Sequence, residues 1–289
     1  MCAQELPAGA ERPRVAPTSS EEERRRMPGV PMTGAQRVSA ALSFREADRV
    51  PHFDYFWGNF DLRWRRSLGL PADPALEDND MVDDPELDAY FGVDMYVAIA
   101  DETPWYGRNA ILSVQGDATI RRDGWGRTVR TRAGARFSEE LSVALAEKAA
   151  LDSLQFQPAT DDGRYTDFLR NIAVRRGSAS PPFIMCKVGG PYLRSSYLRG
   201  EVAWLMDMVE DPAFVDALAG RMTDHLIAIG LESLRRGNLY EHGIAIYDDI
   251  AGNRGLQMGP RLYRRFFLPQ MARMIASFKS AGASKVMFH

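Results

Sequence analysis

The sequence predicts an α/β fold of parallel β/α units, an incomplete (β/α)8 barrel holding about five of the eight units and carrying a β-hairpin excursion near 109–133. Five short runs are apolar on both faces, as strands buried on both sides are, and the later runs alternate with amphipathic helical segments. The 289-residue chain stops at His289 on the fifth run. At roughly 30 residues per unit, a closed barrel needs about 90 more residues, so the chain is read as truncated at its C-terminus.

Residues 1–31 are rich in proline and charge, including the run Glu21 to Arg26, and contain no aromatic. Such a segment buries too little apolar surface to offset its ordering entropy, so a disordered tail is expected, with the barrel over 32–289. Thr33 is the expected N-cap of a helix with Val38, Ala41 and Leu42 on one side. The first buried strand is Val50 to Trp57. A short helix around Pro85 to Phe91 leads to the second, Met95 to Ala100. Ile111 to Ile120 and Thr128 to Thr131 flank Asp123-Gly124-Trp125-Gly126 and read as the hairpin. The third strand is Phe183 to Val188. Asp211 then caps a helix that opens on Pro212 and places Val215, Leu218, Met222 and Ile229 on one face. The fourth strand, Ile244 to Tyr247, and a helix from about Pro260 to Ala281 precede the fifth, Lys285 to Phe288.

Charge and cysteine content narrow the partners. Thirty-six basic against 39 acidic residues give a net charge of -3, so no global positive field exists to hold a nucleic acid. Two cysteines, Cys2 and Cys186, cannot make a disulfide framework, and no apolar run reaches the roughly 18 residues that cross a bilayer. The N-terminus lacks the apolar core of a signal peptide. A cytoplasmic protein without membrane or nucleic-acid partners is expected.

The chain holds no phosphate-binding glycine loop, Gly-x-Ser-x-Gly elbow, His-Glu-x-x-His or paired Cys-x-x-Cys. Candidate chemistry is therefore positional, at the C-terminal ends of the strands. Asp101 and Glu102 follow the second strand, Gly189-Gly190-Pro191 the third, Asp248 and Asp249 the fourth, and His289 closes the fifth. Tyr55 and Trp57 add an aromatic wall, and Asn253 lies on the rim. Asp101 and Asp248 suit proton transfer, metal binding or recognition of a cationic ligand, with capping of the turns that follow as the alternative. Lys187, a lone cation in a buried strand, must reach the mouth or pair with a carboxylate, because burying it bare is too costly. His225 reads as a packing residue, His52 and His242 fall on the side of the sheet away from the strand exits, Cys186 reads as an inert thiol and Trp125 as a packing aromatic.

Several segments in order resemble the uroporphyrinogen decarboxylase superfamily. They are Arg37-Val38-x-Ala40-Ala41-Leu42, Asp48-Arg49-Val50-Pro51, Tyr90-Phe91-Gly92-Val93-Asp94 and Asp101-Glu102-Thr103-Pro104. Gly190-Pro191, Ser196-Tyr197-Leu198-Arg199-Gly200, Tyr247-Asp248-Asp249-Ile250-Ala251-Gly252, Phe267-Leu268-Pro269 and Val286-Met287-Phe288-His289 follow. The superfamily holds the decarboxylases of haem synthesis and the methylcobamide:coenzyme M methyltransferases, and the resemblance implies a (β/α)8 barrel. It implies that Asp101 matches a pyrrole-binding aspartate and Tyr197 an active-site tyrosine. The decarboxylases' Arg-Gln-Ala-Gly-Arg motif is replaced here by Tyr55-Phe56-Trp57-Gly58-Asn59, which removes the arginine pair that holds substrate carboxylates. The resemblance therefore favours the methyltransferase branch, with tetrapyrrole decarboxylation as runner-up and a non-catalytic corrinoid-binding barrel as a third reading. His289 falls on the histidine of that branch's His-x-Cys zinc motif, so zinc is expected if a cysteine follows. In this reading Asp101, Tyr197 and Asp248 are catalytic, and Tyr55, Trp57, Lys187, Asp249 and Asn253 bind substrate. The implied partners are a tetrapyrrole, or a methylcorrinoid carried on a corrinoid protein, and a second copy in a homodimer. Asp101, Tyr197, Asp248 and His289 are expected to converge on one cavity.

Overall fold

The computed structural model describes residues 31–71, 81–133, 135 and 137–289; the tail expected over 1–31 lies, as far as residue 30, outside the described residues. The first half comprises α1 (Gly34–Leu42), β1 (Phe56–Trp57), α2 (Gly58–Leu68), β2 (Met81–Val82), α3 (Pro85–Phe91), β3 (Met95–Ile99), β4 (Ala110–Gln115), β5 (Ala118–Arg122), β6 (Thr128–Arg132) and β7 (Glu139–Ser142). The second comprises α4 (Thr166–Arg176), β8 (Phe183–Gly189), α5 (Pro191–Arg199), α6 (Glu201–Glu210), α7 (Pro212–Gly237), β9 (Ile244–Tyr247), β10 (Ala251–Gly252), β11 (Gly255–Leu256), α8 (Gly259–Leu262), α9 (Leu268–Ser280) and β12 (Val286–Phe288).

Four of the five expected strands form one parallel sheet whose spatial order, β3-β8-β9-β12, follows the chain. The two-residue period of a strand sorts its side chains. Ala98, Ile184, Cys186, Val188, Ile244 and Ile246 face the helices and join the main core with Leu218, Met222 and Leu226 of α7 and Phe278 of α9. Met95, Val97, Phe183 and Met185 point the other way, into a small cluster with Val38 of α1, against which Tyr55, Tyr247 and Met287 pack. This second surface is called the inner face below. It is the one that carries the site.

The helices follow their sequence signals. The Asp211 carboxylate accepts from the Phe214 N–H at 3.2 Å and Pro212 opens α7, while Val215, Leu218, Met222 and Ile229 are wholly buried. The helix expected from Pro260 to Ala281 is interrupted by a wide π turn at Tyr263–Phe267. Pro269, just beyond it, has no N–H to give the Arg265 carbonyl, so the α ladder cannot run through unbroken. At the N-terminal end of the sheet, buried Arg37 binds Asp48 and Asp94, each at 2.5 Å, and Arg49 binds Asp94 at 2.6 Å. These motif residues tie α1 to the start of β3, a structural clamp far from the strand exits.

Three expectations are corrected. Of the strand expected over Val50 to Trp57, only Phe56–Trp57 forms, and it pairs antiparallel with Met81–Val82. Asp94 captures both backbone groups of His52, its carboxylate accepting the N–H at 2.8 Å and its own N–H reaching the carbonyl at 2.7 Å, while Pro51 offers no donor. The hairpin excursion is a four-stranded antiparallel meander, β4-β5-β6-β7. Gly116, at φ 61°, makes a tight turn inside the run read as one strand, a conformation that costs glycine little. On α1, Ala41 and Leu42 face solvent, because the buried Arg37 clamp turns Gly34, Val38 and Ala40 inward instead. Among the described residues no helix is long and apolar enough to cross a membrane.

Candidate active site

Lys187 lies in phase with Phe183 and Met185 on β8 and so emerges on the inner face near the C-terminal end of the strand. Its ammonium reaches the buried carboxylate of Glu102, just past β3, at 3.0 Å. Arg194 of α5 binds the same Glu102 oxygen, and the Gly189 N–H donates to the other at 2.5 Å. Gly189 is required for this arrangement: a Cβ there would stand 2.1 Å from Arg194 Nε. Burial by itself would raise the Glu102 carboxyl, yet the Arg194 and Lys187 charges and the Gly189 N–H hold it down at about 2. Lys187 is lowered from its ordinary value, by burial first and by the neighbouring Arg194 as well. One carboxylate thus serves two cations, and the cluster has one positive charge in excess. Arg194 Nε is buried without a hydrogen-bond partner.

Aromatic rings extend the cluster on two sides. The Arg194 guanidinium lies 5.1 Å from the Trp125 ring and 5.2 Å from the Tyr197 ring, and Arg127 sits 3.9 Å over Tyr197. On the other side the Lys187 ammonium is 5.9 Å from the Tyr247 ring, which stacks on His289 with centroids 4.6 Å apart and planes at 17°. The Tyr247 hydroxyl shares a 2.8 Å hydrogen bond with that of Tyr55.

Asp248 ends β9 in an almost fully buried position, accepting from the Leu193 N–H at 2.7 Å and the Tyr192 N–H at 3.2 Å in the first turn of α5. Burial pushes its carboxyl up to about 7, a rise that the Leu193 and Tyr192 N–H groups and Arg194 resist and Asp249 assists. A carboxyl so placed exchanges its proton near neutrality. Gly190 makes the space for it, since a Cβ there would stand 2.2 Å from the Asp248 Cβ.

The structure therefore gathers Lys187, Tyr197 and Asp248 around Arg194, and joins Tyr55 and His289 to them through Tyr247. Other expected site residues stand apart. The Asp101 carboxylate accepts from the Thr103 N–H at 2.9 Å and hydroxyl at 2.5 Å, so it caps its own turn, and Glu102 is the acid that faces the cluster. Trp57 precedes α2 half-exposed, and Asp249 and Asn253 are exposed, Asn253 in the turn between β10 and β11. A small cavity of about 70 Å³ lies beside Tyr55, lined also by Val97 and Ile99 of the inner face, and an open groove runs past Thr103, Trp125 and Arg127. Neither is lined by Asp101, Tyr197, Asp248 or His289; Tyr197 and Asp248 stand beside Arg194 in a buried polar cluster, and Asp101 is turned to its own loop.

Two members were missed in the sequence, Arg194 and Tyr247. The Gly189-Gly190 pair was the available signal for Arg194, because glycines at a strand exit leave room for a long side chain to lie across it. The remaining histidines make local contacts: His52 bonds the Phe91 carbonyl at 3.0 Å, His225 bonds the Glu102 carbonyl at 2.9 Å and is lowered to about 4 by burial, and His242 stacks on Phe183. Among the described residues no group of three His, Cys, Asp or Glu side chains could hold a metal ion. They supply one donor of the expected zinc site, His289, and do not by themselves fit the metal.

The fold is similar to that of a methyltransferase from Methanosarcina mazei, at 15% sequence identity and a TM-score of 0.55, over 89% of this chain and 69% of that one. At that identity the likeness is one of fold. No protein-family model and no curated protein sequence matches the chain.

Proposed function

We propose that this chain forms most of a (β/α)8 barrel of the uroporphyrinogen decarboxylase superfamily and transfers a methyl group from a methylcorrinoid to a thiol. The barrel reading is supported by the sheet. Strand order that follows the chain is the order a barrel has, and the usual right-handed crossovers would put its connecting helices on one face, whereas a doubly wound sheet reverses its order. The fold likeness to a methyltransferase is in keeping with it.

One observation carries the functional reading: on the inner face, at the strand exits, a cluster with an excess positive charge adjoins a flat ring pair, Tyr247 on His289. When bound, a methylcorrinoid supplies an electrophilic methyl group whose electron pair stays on cobalt. Tyr247 and His289 offer a flat aromatic ledge for a macrocycle. Lys187 and Arg194 hold an anionic group on the acceptor and so fix the direction of its sulfur. Asp248 is the carboxyl able to take the thiol proton at neutral pH. Decarboxylation of a tetrapyrrole has weaker support, because Tyr55 to Asn59 supplies no arginine to a substrate rich in carboxylates.

Binding tests this reading. Titrating the full chain with methylcobalamin, followed by its visible spectrum, should give saturable binding that Tyr247→Ala weakens about tenfold, the loss expected of a stacked ring. Absence of binding by the wild-type chain, or equal affinity in the variant, would sink it.

A further inference from the structure

The chain has four lysines, Lys148, Lys187, Lys279 and Lys285, and two of them sit in ion-pair clusters of opposite build. Lys148 has two acids, Asp207 at 2.7 Å and Asp211 at 3.1 Å, and hydrogen bonding to Asp207 first and Asp211 next holds its proton more firmly than usual. Lys187 has the reverse. Its one bonded acid, Glu102, is held by Arg194 on the same oxygen and by the Gly189 N–H on the other. When Lys187 gives up its proton, Glu102 keeps a guanidinium and an amide N–H, and the cluster passes from one excess positive charge to none. Burial and Arg194 both favour that loss, while Glu102 and the exposed Asp249 oppose it. The other two lysines, Lys279 exposed and Lys285 half-buried, lie outside such clusters.

The place of the amine suits a reaction. Lys187 stands on the inner face near the strand exit, and its side chain is 11% exposed, so it is desolvated without being sealed. Ile99, its direct partner across β3 and β8, lines the cavity of about 70 Å³ beside Tyr55, so free space begins one side chain away from the amine. An arginine here would serve the ion pair as well and could never lose its proton, whereas a lysine can. A lysine that is desolvated beside a second cation is the form of this side chain that attacks carbonyl carbon at neutral pH.

We propose that Lys187 is a covalent site for small 2-oxo acids, which it binds as an imine. The ammonium first gives one proton to water. The Nζ lone pair then bonds to the keto carbon as the C=O π pair moves to oxygen, which takes up a proton. That oxygen leaves as water with a second proton, and the remaining nitrogen lone pair closes the C=N bond. In sum, one ammonium and one ketone give one protonated imine and one water, with no oxidant or reductant. Charge selects the substrate class. The protonated imine restores the excess positive charge, and the carboxylate that a 2-oxo acid brings beside Arg194 cancels it, which a neutral ketone cannot do. The proposal uses no corrinoid and stands apart from the methyl-transfer reading.

Reductive trapping tests it. The full chain is incubated at neutral pH with pyruvate and sodium cyanoborohydride, and the reduced adduct is mapped by peptide mass spectrometry. Lys187 should be modified roughly tenfold or more faster than Lys148, the lysine whose proton is held most firmly, and faster than Lys279 and Lys285. Acetone, which has a methyl group in place of the carboxylate, should lose this preference, and the Lys187-to-Lys148 ratio within each sample cancels the different electrophilicity of the two ketones. Lys187→Arg should abolish the adduct at that position, leave labelling of the other three lysines as it was, and melt as the wild type does. An adduct spread evenly over the four lysines, or an unmodified Lys187, overturns the proposal. Equal selectivity for Lys187 with pyruvate and acetone overturns the assignment to 2-oxo acids.

Discussion

Glu102→Ala should destabilise the protein by about 3–5 kcal/mol, the usual result of removing one partner from a buried ion pair. The loss is large because two cations depend on this carboxylate. Without it Lys187 and Arg194 remain buried side by side, repelling each other, and the Gly189 N–H loses its acceptor. Thermal melting checks the size of the effect, and Glu102→Ala/Lys187→Met should recover part of it by removing one orphaned charge. Asp101→Ala, one position earlier, removes only a turn cap and should cost about 1 kcal/mol. Equal losses at the two positions would show that Glu102 does no more for the fold than a turn cap does. The pH dependence has a definite sign. The Glu102 carboxyl is held at about 2 against an ordinary 4.5, so its contribution is complete above pH 4.5 and disappears as the pH falls through about 2.

Gly190→Ala should be nearly as damaging, at about 2–4 kcal/mol, through overpacking and the loss of hydrogen bonds to a buried acid. The added methyl would stand 2.2 Å from both the Asp248 Cβ and Cγ, and Asp248 cannot withdraw without giving up the Leu193 and Tyr192 N–H groups. Gly220→Ala in α7 is the control, since nothing lies within 4 Å of its Cβ position and alanine favours a helix. Denaturant unfolding of the two variants should separate them by at least 2 kcal/mol, with Gly220→Ala at or above wild type. Similar stabilities would mean that Asp248 is not locked in place by Gly190.

Much of the parallel sheet was legible because its strands are buried on both faces, which writes them into the sequence as unbroken apolar runs. Met95 to Ala100, Phe183 to Val188 and Ile244 to Tyr247 show this within a residue or two. Val50 to Trp57 is as apolar and mostly not a strand, since what decides it is the capture of His52 by Asp94, a contact 42 positions away that no local pattern records. The meander was misread for a local reason: Gln115-Gly116-Asp117 breaks the stretch from Ile111 to Ile120, a turn signal passed over when that stretch was read as one strand.

The site was legible by position and less so by residue. Asp101 and Glu102 are adjacent carboxylates after the same strand, and nothing in their spacing says which one turns inward. Lys187 was legible because a cation in a buried strand must find an acid, and that acid proved to be Glu102. Arg194 lies on a helix whose other side chains give it no apolar or polar phase of its own, so its place over Gly189 emerges only from the fold.

The rate at which the full chain demethylates methylcobalamin in the presence of thiols tests the central claim most directly. The account predicts turnover with a thiol bearing a sulfonate or carboxylate, at least tenfold faster than with a neutral thiol of the same size, and loss of that preference in Lys187→Met. Absence of demethylation by the wild-type protein, or equal rates with charged and neutral thiols, would contradict it.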